Sequence, residues 1–106
     1  MSHVLYANND NTFRVSPIRR ESDNAIETSV VFSVTLYDSD DNPISGVTAL
    51  STVYRPSKQD NAVVFNGSDL NLAEGSGYYI DAAATGAFAD KINFADVPVI
   101  VQRRKG

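Results

Sequence analysis

Apolar and polar residues alternate with a period of two along much of the chain, most regularly from Ser29 to Tyr37. There Phe32, Val34 and Leu36 share one face and Ser33, Thr35 and Tyr37 the other, the pattern of a half-buried β-strand. Asp38-Ser39-Asp40-Asp41-Asn42-Pro43 cannot continue a ladder and must turn, and Ile44-Ser45-Gly46-Val47 opens a second apolar segment. Upstream, residues 3–7 form a short apolar segment that ends in the turn cluster Asn8-Asn9-Asp10-Asn11. Thr12–Ile18 reads as a first full strand with Phe13 and Val15 on one face, and Pro17 assigns it to a sheet edge or to a strand end.

Downstream, Val47–Arg55 reads as one strand whose two faces are mixed, as in a strand packed on both sides or at an interface. Ala62–Phe65 is a short strand closed by Asn66-Gly67. Ser68–Ala73 predicts a single helical turn capped by Ser68 or Asp69. Tyr78–Ala84 predicts a strand with Tyr78, Ile80, Ala82 and Ala84 on one side, the alanines implying close packing by a facing sheet. Lys91–Phe94 and Val97–Gln102 are expected as separate closing segments. About six to eight short strands spaced by turns roughly ten residues apart predict an all-β sandwich or small barrel.

Composition narrows this picture. A chain of 106 residues is one domain with a single core. It has no cysteine, which removes disulfides, thiolate metal sites and cysteine nucleophiles and favours a reducing compartment. No apolar run approaches the roughly 20 residues of a bilayer-spanning helix. Met1-Ser2-His3-Val4-Leu5-Tyr6 lacks the basic start and apolar stretch of a signal peptide, so synthesis in the cytoplasm is expected. Arg103, Arg104 and Lys105 supply +3 to a net charge of −4, so residues 1–102 carry −7. An acidic body argues against general nucleic-acid binding. Residues 1–11 are expected as an N-terminal arm. Residues 103–106 form a basic tail, read either as a solvated end or as a plug for an acidic patch on a partner.

No catalytic constellation is spelled out. Asp38, Asp40 and Asn42 occupy alternate positions like those of a calcium loop. Pro43 then stands where the sharp-turn glycine belongs and Ala49 where the bidentate glutamate belongs, so an EF-hand is excluded. His3 is the only histidine, and Glu27, Asp81 and Asp90 are scattered acids without a pairing pattern. Catalytic, cofactor-binding and metal residues are therefore all expected to be absent. Tyr54, Tyr78 and Tyr79 offer aromatic surface for a sugar or a protein, although one of the neighbours Tyr78 and Tyr79 must face the core. Leu72-Ala73-Glu74-Gly75-Ser76-Gly77-Tyr78 also fits the approach to a tyrosine corner, in which the hydroxyl ties a loop to a strand start.

Three stretches carry a resemblance. They are Val34-Thr35-Leu36-Tyr37-Asp38 with Asn42-Pro43-Ile44-Ser45-Gly46, then Leu70–Tyr79, then Val99-Ile100-Val101-Gln102-Arg103-Arg104. Over residues 26–104 the chain resembles small immunoglobulin-like virion proteins of tailed bacteriophages, with Asn42 in place of the usual turn glycine. The resemblance implies an immunoglobulin-like β-sandwich of about seven short strands. It also implies a non-enzymatic role in the virion, made in the host cytoplasm and docked in multiple copies on major capsid, portal, neck or tail proteins, without nucleic acid, membrane or cofactor. Tyr6, Phe13, Arg19, Arg20, Tyr54, Tyr79, Arg103, Arg104 and Lys105 are the candidate contacts. The alternative is an immunoglobulin-like module that binds carbohydrate or a cell surface through Tyr37, Tyr54 or Tyr79.

Overall fold

In the computed structural model, which describes residues 3–15, 18–20, 22–89 and 91–103, two β-sheets enclose one core. The described residues form eight strands: β1 (His3–Tyr6), β2 (Asn11–Val15), β3 (Phe32–Tyr37), β4 (Leu50–Ser51), β5 (Val53–Arg55), β6 (Asp60–Phe65), β7 (Gly75–Ala84) and β8 (Asn93–Gln102). The larger sheet runs β1-β8-β7-β3-β4 and the smaller β2-β6-β5. Every pairing is antiparallel except β1 with β8. In immunoglobulin lettering the small sheet is B–E–D, and the large one is G–F–C with an added C′ strand. The expected immunoglobulin-like sandwich is the fold.

The strongest alternation in the sequence becomes the centre of the core. Phe32, Val34 and Leu36 are fully buried on β3, beside Ile80, Ala82 and Ala84 on β7 and Val99 and Val101 on β8. The smaller sheet contributes Phe13 and Val15 from β2 and Phe65 from β6, with Phe13 and Phe65 stacked at 6.1 Å. Each such side chain contributes roughly 1.5–3 kcal/mol by leaving water. The alanines of β7 have a neighbour the alternation did not reveal. Phe32 pairs with Ala84, Phe94 pairs with Ala82, and the two rings meet at 5.8 Å across the strand between them. Small residues on β7 make room for aromatics from both flanking strands.

Several expectations are corrected. Residues 3–11 are not an arm: β1 is hydrogen-bonded along β8, Leu5 is 1% exposed, and the Ala7 amide donates to the Gln102 carbonyl at 2.8 Å. Val47–Arg55 is not one strand. Leu50–Ser51 belongs to the larger sheet and Val53–Arg55 to the smaller, and the chain changes sheets at buried Thr52. The Thr52 amide donates to the Phe32 carbonyl at 3.0 Å, and its hydroxyl accepts from the Phe32 amide at 3.0 Å. Leu50, Thr52 and Tyr54 keep the inward side across the change of sheet, with Ser51 and Val53 outward; the alternation is broken earlier, between buried Val47 and Leu50, where Ala49 is left-handed (φ 53°).

The two closing segments form the single strand β8, bent at a register shift where Asp96 is left-handed (φ 55°) and its amide donates to Asp81 Oδ1 at 2.8 Å. Pro98 lies in this strand opposite Tyr79 of β7, one residue before the first described β1 pair, His3 with Val99. The regular part of the opening stretch begins at Phe32, so Ser29–Val31 lie outside β3. The helical turn after Asn66 is a 3-10 turn, Gly67–Asp69, without a side-chain cap. Pro17 lies outside the described residues, but β2 is at a sheet edge as expected.

Two side-chain devices close the corners. Asp38 Oδ1 accepts from the Asp40 and Asn42 amides at 2.9 and 3.0 Å, so the acidic turn closes on its own carboxylate. The Tyr78 hydroxyl donates to the Ala73 carbonyl at 2.8 Å, which makes the expected tyrosine corner.

Two stability predictions follow from this packing. Tyr78→Phe should lower unfolding free energy by about 1 kcal/mol, the net value of one such hydrogen bond. Ala82→Leu should cost about 1–3 kcal/mol, because the Phe32 and Phe94 rings occupy the space it needs. Urea denaturation measures both; an Ala82→Leu chain as stable as wild type would refute the ring-over-alanine packing.

Candidate functional site

The outer face of the smaller sheet is built by the half of its alternation that the core does not use. Phe13 and Val15 point inward on β2, so Thr12 and Arg14 point out. On β6 the outward set is Asp60, Ala62 and Val64, and on β5 it is Val53 and Arg55. Register places Ala62 between Arg14 and Val53, and Val64 beside Thr12. The result is a shallow groove of about 350 Å³ along Thr12, Ser51, Val53, Ala62 and Val64, with Arg55 at its edge. Val53 is 69% and Val64 51% exposed. Two β-branched residues presented to solvent on one short sheet are the outstanding apolar feature of this surface.

Charge closes one end. Arg55 grips Asp60 with two hydrogen bonds of 2.8 Å, and Arg14 Nε adds a third at 3.3 Å. The Asp60 side chain is only 8% exposed. The Arg55 hydrogen bonds chiefly, with those from Arg14 and the charges of both, hold its carboxyl down to about 2 against the opposing effect of burial. Two cations against one anion leave this end +1, on a chain whose first 102 residues carry −7. Chemically, the face suits an apolar protein surface rimmed by acidic groups.

The larger sheet presents a different outer face. Tyr37 and Tyr79, paired in register, stack at 4.9 Å with their planes 11° apart. The Tyr79 hydroxyl donates to Asp41 Oδ1 at 3.0 Å. Burial, then this hydrogen bond, then the negative charges of Asp41, Asp81 and Asp96 push the Tyr79 phenol up to about 12. Each ring covers one face of the other.

The residues expected to contact partners are spread over separate elements. Phe13 is withdrawn from any surface role, because it is buried between Phe65 and the edge-on His3 ring at 5.3 Å. Burial also lowers the His3 pKa. Tyr6 is half-buried on β1, and Tyr54 takes the inward register opposite Asn61. Arg20 forms an exposed ion pair with Asp23, and Arg19 donates to the Asn24 carbonyl, both within a local loop. Arg103 lies 3.7 Å from Glu74. Arg104 and Lys105 lie outside the described residues. Val53, Val64, Arg14 and Arg55 were not singled out from the sequence. The signal was there in Ala62-Val63-Val64-Phe65, where adjacent valines on a strand must face opposite ways.

Comparisons with protein-family models, with curated proteins and with solved structures find no match for this chain.

Asp60 and Tyr79, one on each outer face, give opposite pH signatures. Asp60 is more acidic in the fold than its ordinary 3.8, so its stabilisation is complete above that pH and is lost as pH falls towards about 2. Asp60→Asn should be less stable at neutral pH and lose less stability than wild type across that acid window; equal acid slopes in urea titrations would refute the assignment. Tyr79 is raised from 10.0 to about 12, so its contribution is complete below 10 and disappears as pH rises through about 12. Ultraviolet titration should show a late ionisation that is absent in Tyr79→Phe and comes earlier in Asp41→Asn.

Proposed function

We propose that this protein is a non-enzymatic structural component of a tailed-phage virion, made in the host cytoplasm and docked in multiple copies on the capsid or on the head–tail or tail assembly. The observation that carries the docking mode is the Val53–Ala62–Val64 strip ended by Arg14 and Arg55. The resemblance that points to virion proteins rests on residues with clear structural work. The Val34–Asp38 and Asn42–Gly46 stretches flank the self-closing acidic turn, and Leu70–Tyr79 carries the tyrosine corner.

The proposed docking surface is a sheet face and not an N-terminal arm, because residues 3–11 are engaged in β1, its turn and the start of β2. A specific interface usually covers roughly 800 Å² per partner, more than this strip alone. The polar surface around the strip would supply the remainder of the contact as its rim.

The test is incorporation into particles. Mass spectrometry of purified virions from the phage or prophage that encodes the chain should find the wild-type protein. Val53→Glu/Val64→Glu should reduce its occupancy at least about tenfold, since burying a carboxylate against an apolar partner exceeds the roughly 1.4 kcal/mol that a tenfold loss requires. Both positions are exposed, so the thermal midpoint should hardly move. Absence of the wild-type chain from particles refutes the virion reading; full occupancy of the double variant refutes this docking face.

A further inference from the structure

Asn66-Gly67 joins β6 to the following 3-10 turn, and it is the only Asn-Gly pair in the chain. An asparagine before glycine is chemically vulnerable. The glycine amide nitrogen, once deprotonated, attacks the asparagine Cγ, a new N–Cγ bond closes a succinimide, and ammonia leaves. Water then opens the ring, giving aspartate or, by cleavage on the main-chain side, isoaspartate. Glycine makes the attack easy because no Cβ hinders its nitrogen.

The fold requires this glycine. A Cβ on Gly67 would lie 2.8 Å from the Asn9 carbonyl carbon and 2.9 Å from the Asn8 carbonyl oxygen, both in the β1–β2 turn. Those are main-chain atoms in a turn held by the Asn8 amide donating to the Leu70 carbonyl at 2.9 Å, so the space cannot be made by moving a side chain. Asn66 is exposed and its side chain makes no capping bond. The attacking nitrogen, however, is occupied. The Gly67 amide donates to Asp10 Oδ1 at 2.7 Å, and Gly67 itself is buried.

We infer that Asn66 is a latent deamidation site and that Asp10 guards it by holding the Gly67 N–H. While that bond stands, the nitrogen keeps its proton beside a carboxylate and is turned towards Asp10. Attack requires giving up a hydrogen bond to a charged acceptor. If the site does react by the isoaspartate route, an extra main-chain carbon enters beside the tight Gly67–Asn8 contact and separates the β1–β2 turn from the end of β6.

The full chain, its Asp10→Ala variant and its Val34→Ala variant would be incubated in mildly alkaline buffer, with peptide mass spectrometry following amide-to-acid conversion at Asn66. Val34→Ala weakens the core without touching Asp10. Asp10→Ala should deamidate roughly tenfold faster or more, matching the loss of a charged hydrogen bond. Wild type and Val34→Ala should remain slow, and Asn66→Gln should remove the signal. Equal rates in wild type and Asp10→Ala would overturn the guard, as would Val34→Ala accelerating as much as Asp10→Ala, which would assign protection to global stability.

Discussion

Burial of the Phe32–Val34–Leu36 row is the constraint on which the rest of the structure depends. A strand with one fully apolar face must be covered, and its neighbours in the sheet must share that face. On β7 the matching row is Ala84, Ala82 and Ile80, which leaves a shallow place beside Phe32 that Phe94 fills from β8. The cover comes from Phe13, Val15 and Phe65 on the other sheet. Leu5, Val30, Val47 and Leu70 seal the seam from β1 and the loops. Close-packed interiors tolerate few voids, so these volumes are mutually determined.

A sandwich also needs places where the chain leaves one sheet for the other without stranding polar main-chain groups. Thr52 makes that crossing while buried, its amide and hydroxyl reproducing a ladder pair with Phe32. Asp38 and Tyr78 do comparable work at the acidic turn and at the start of β7. At Gly67 the turn between β1 and β2 packs directly against main chain, and only glycine fits. The polar residues that first suggest chemistry are largely occupied with main-chain groups, which is why a metal-like sequence at Asp38–Asn42 is a turn.

With those groups spoken for, recognition falls to the outward half of each alternation. The two sheets differ there. The larger one stacks its tyrosines on each other among carboxylates, whereas the smaller one leaves valines open beside a cationic end. The proposed assembly role needs a rigid face more than a reactive one, and three short strands fixed on a shared core supply it.

Strands with a clean period of two were legible from the sequence because their inward set is uninterrupted: β3, β2 and the second half of β7 follow the alternation residue by residue. Local chemistry also sufficed for the acidic turn and the tyrosine corner, where donor and acceptor lie within a few residues of each other. What needed the tertiary structure was anything set by partners distant in sequence. The parallel seat of β1 on β8 turned an expected arm into a strand, and the break at Thr52 depends on Phe32, twenty residues earlier. Phe13, a candidate contact by sequence, is buried for the same reason, since period shows that it shares a face with Val15 but not what covers that face. The valine strip and its arginine–aspartate end arise only when register sets Arg14, Val53 and Asp60 on one surface. Alternation is a local property of the chain; which alternate face meets solvent is decided by the sheet packed against the other.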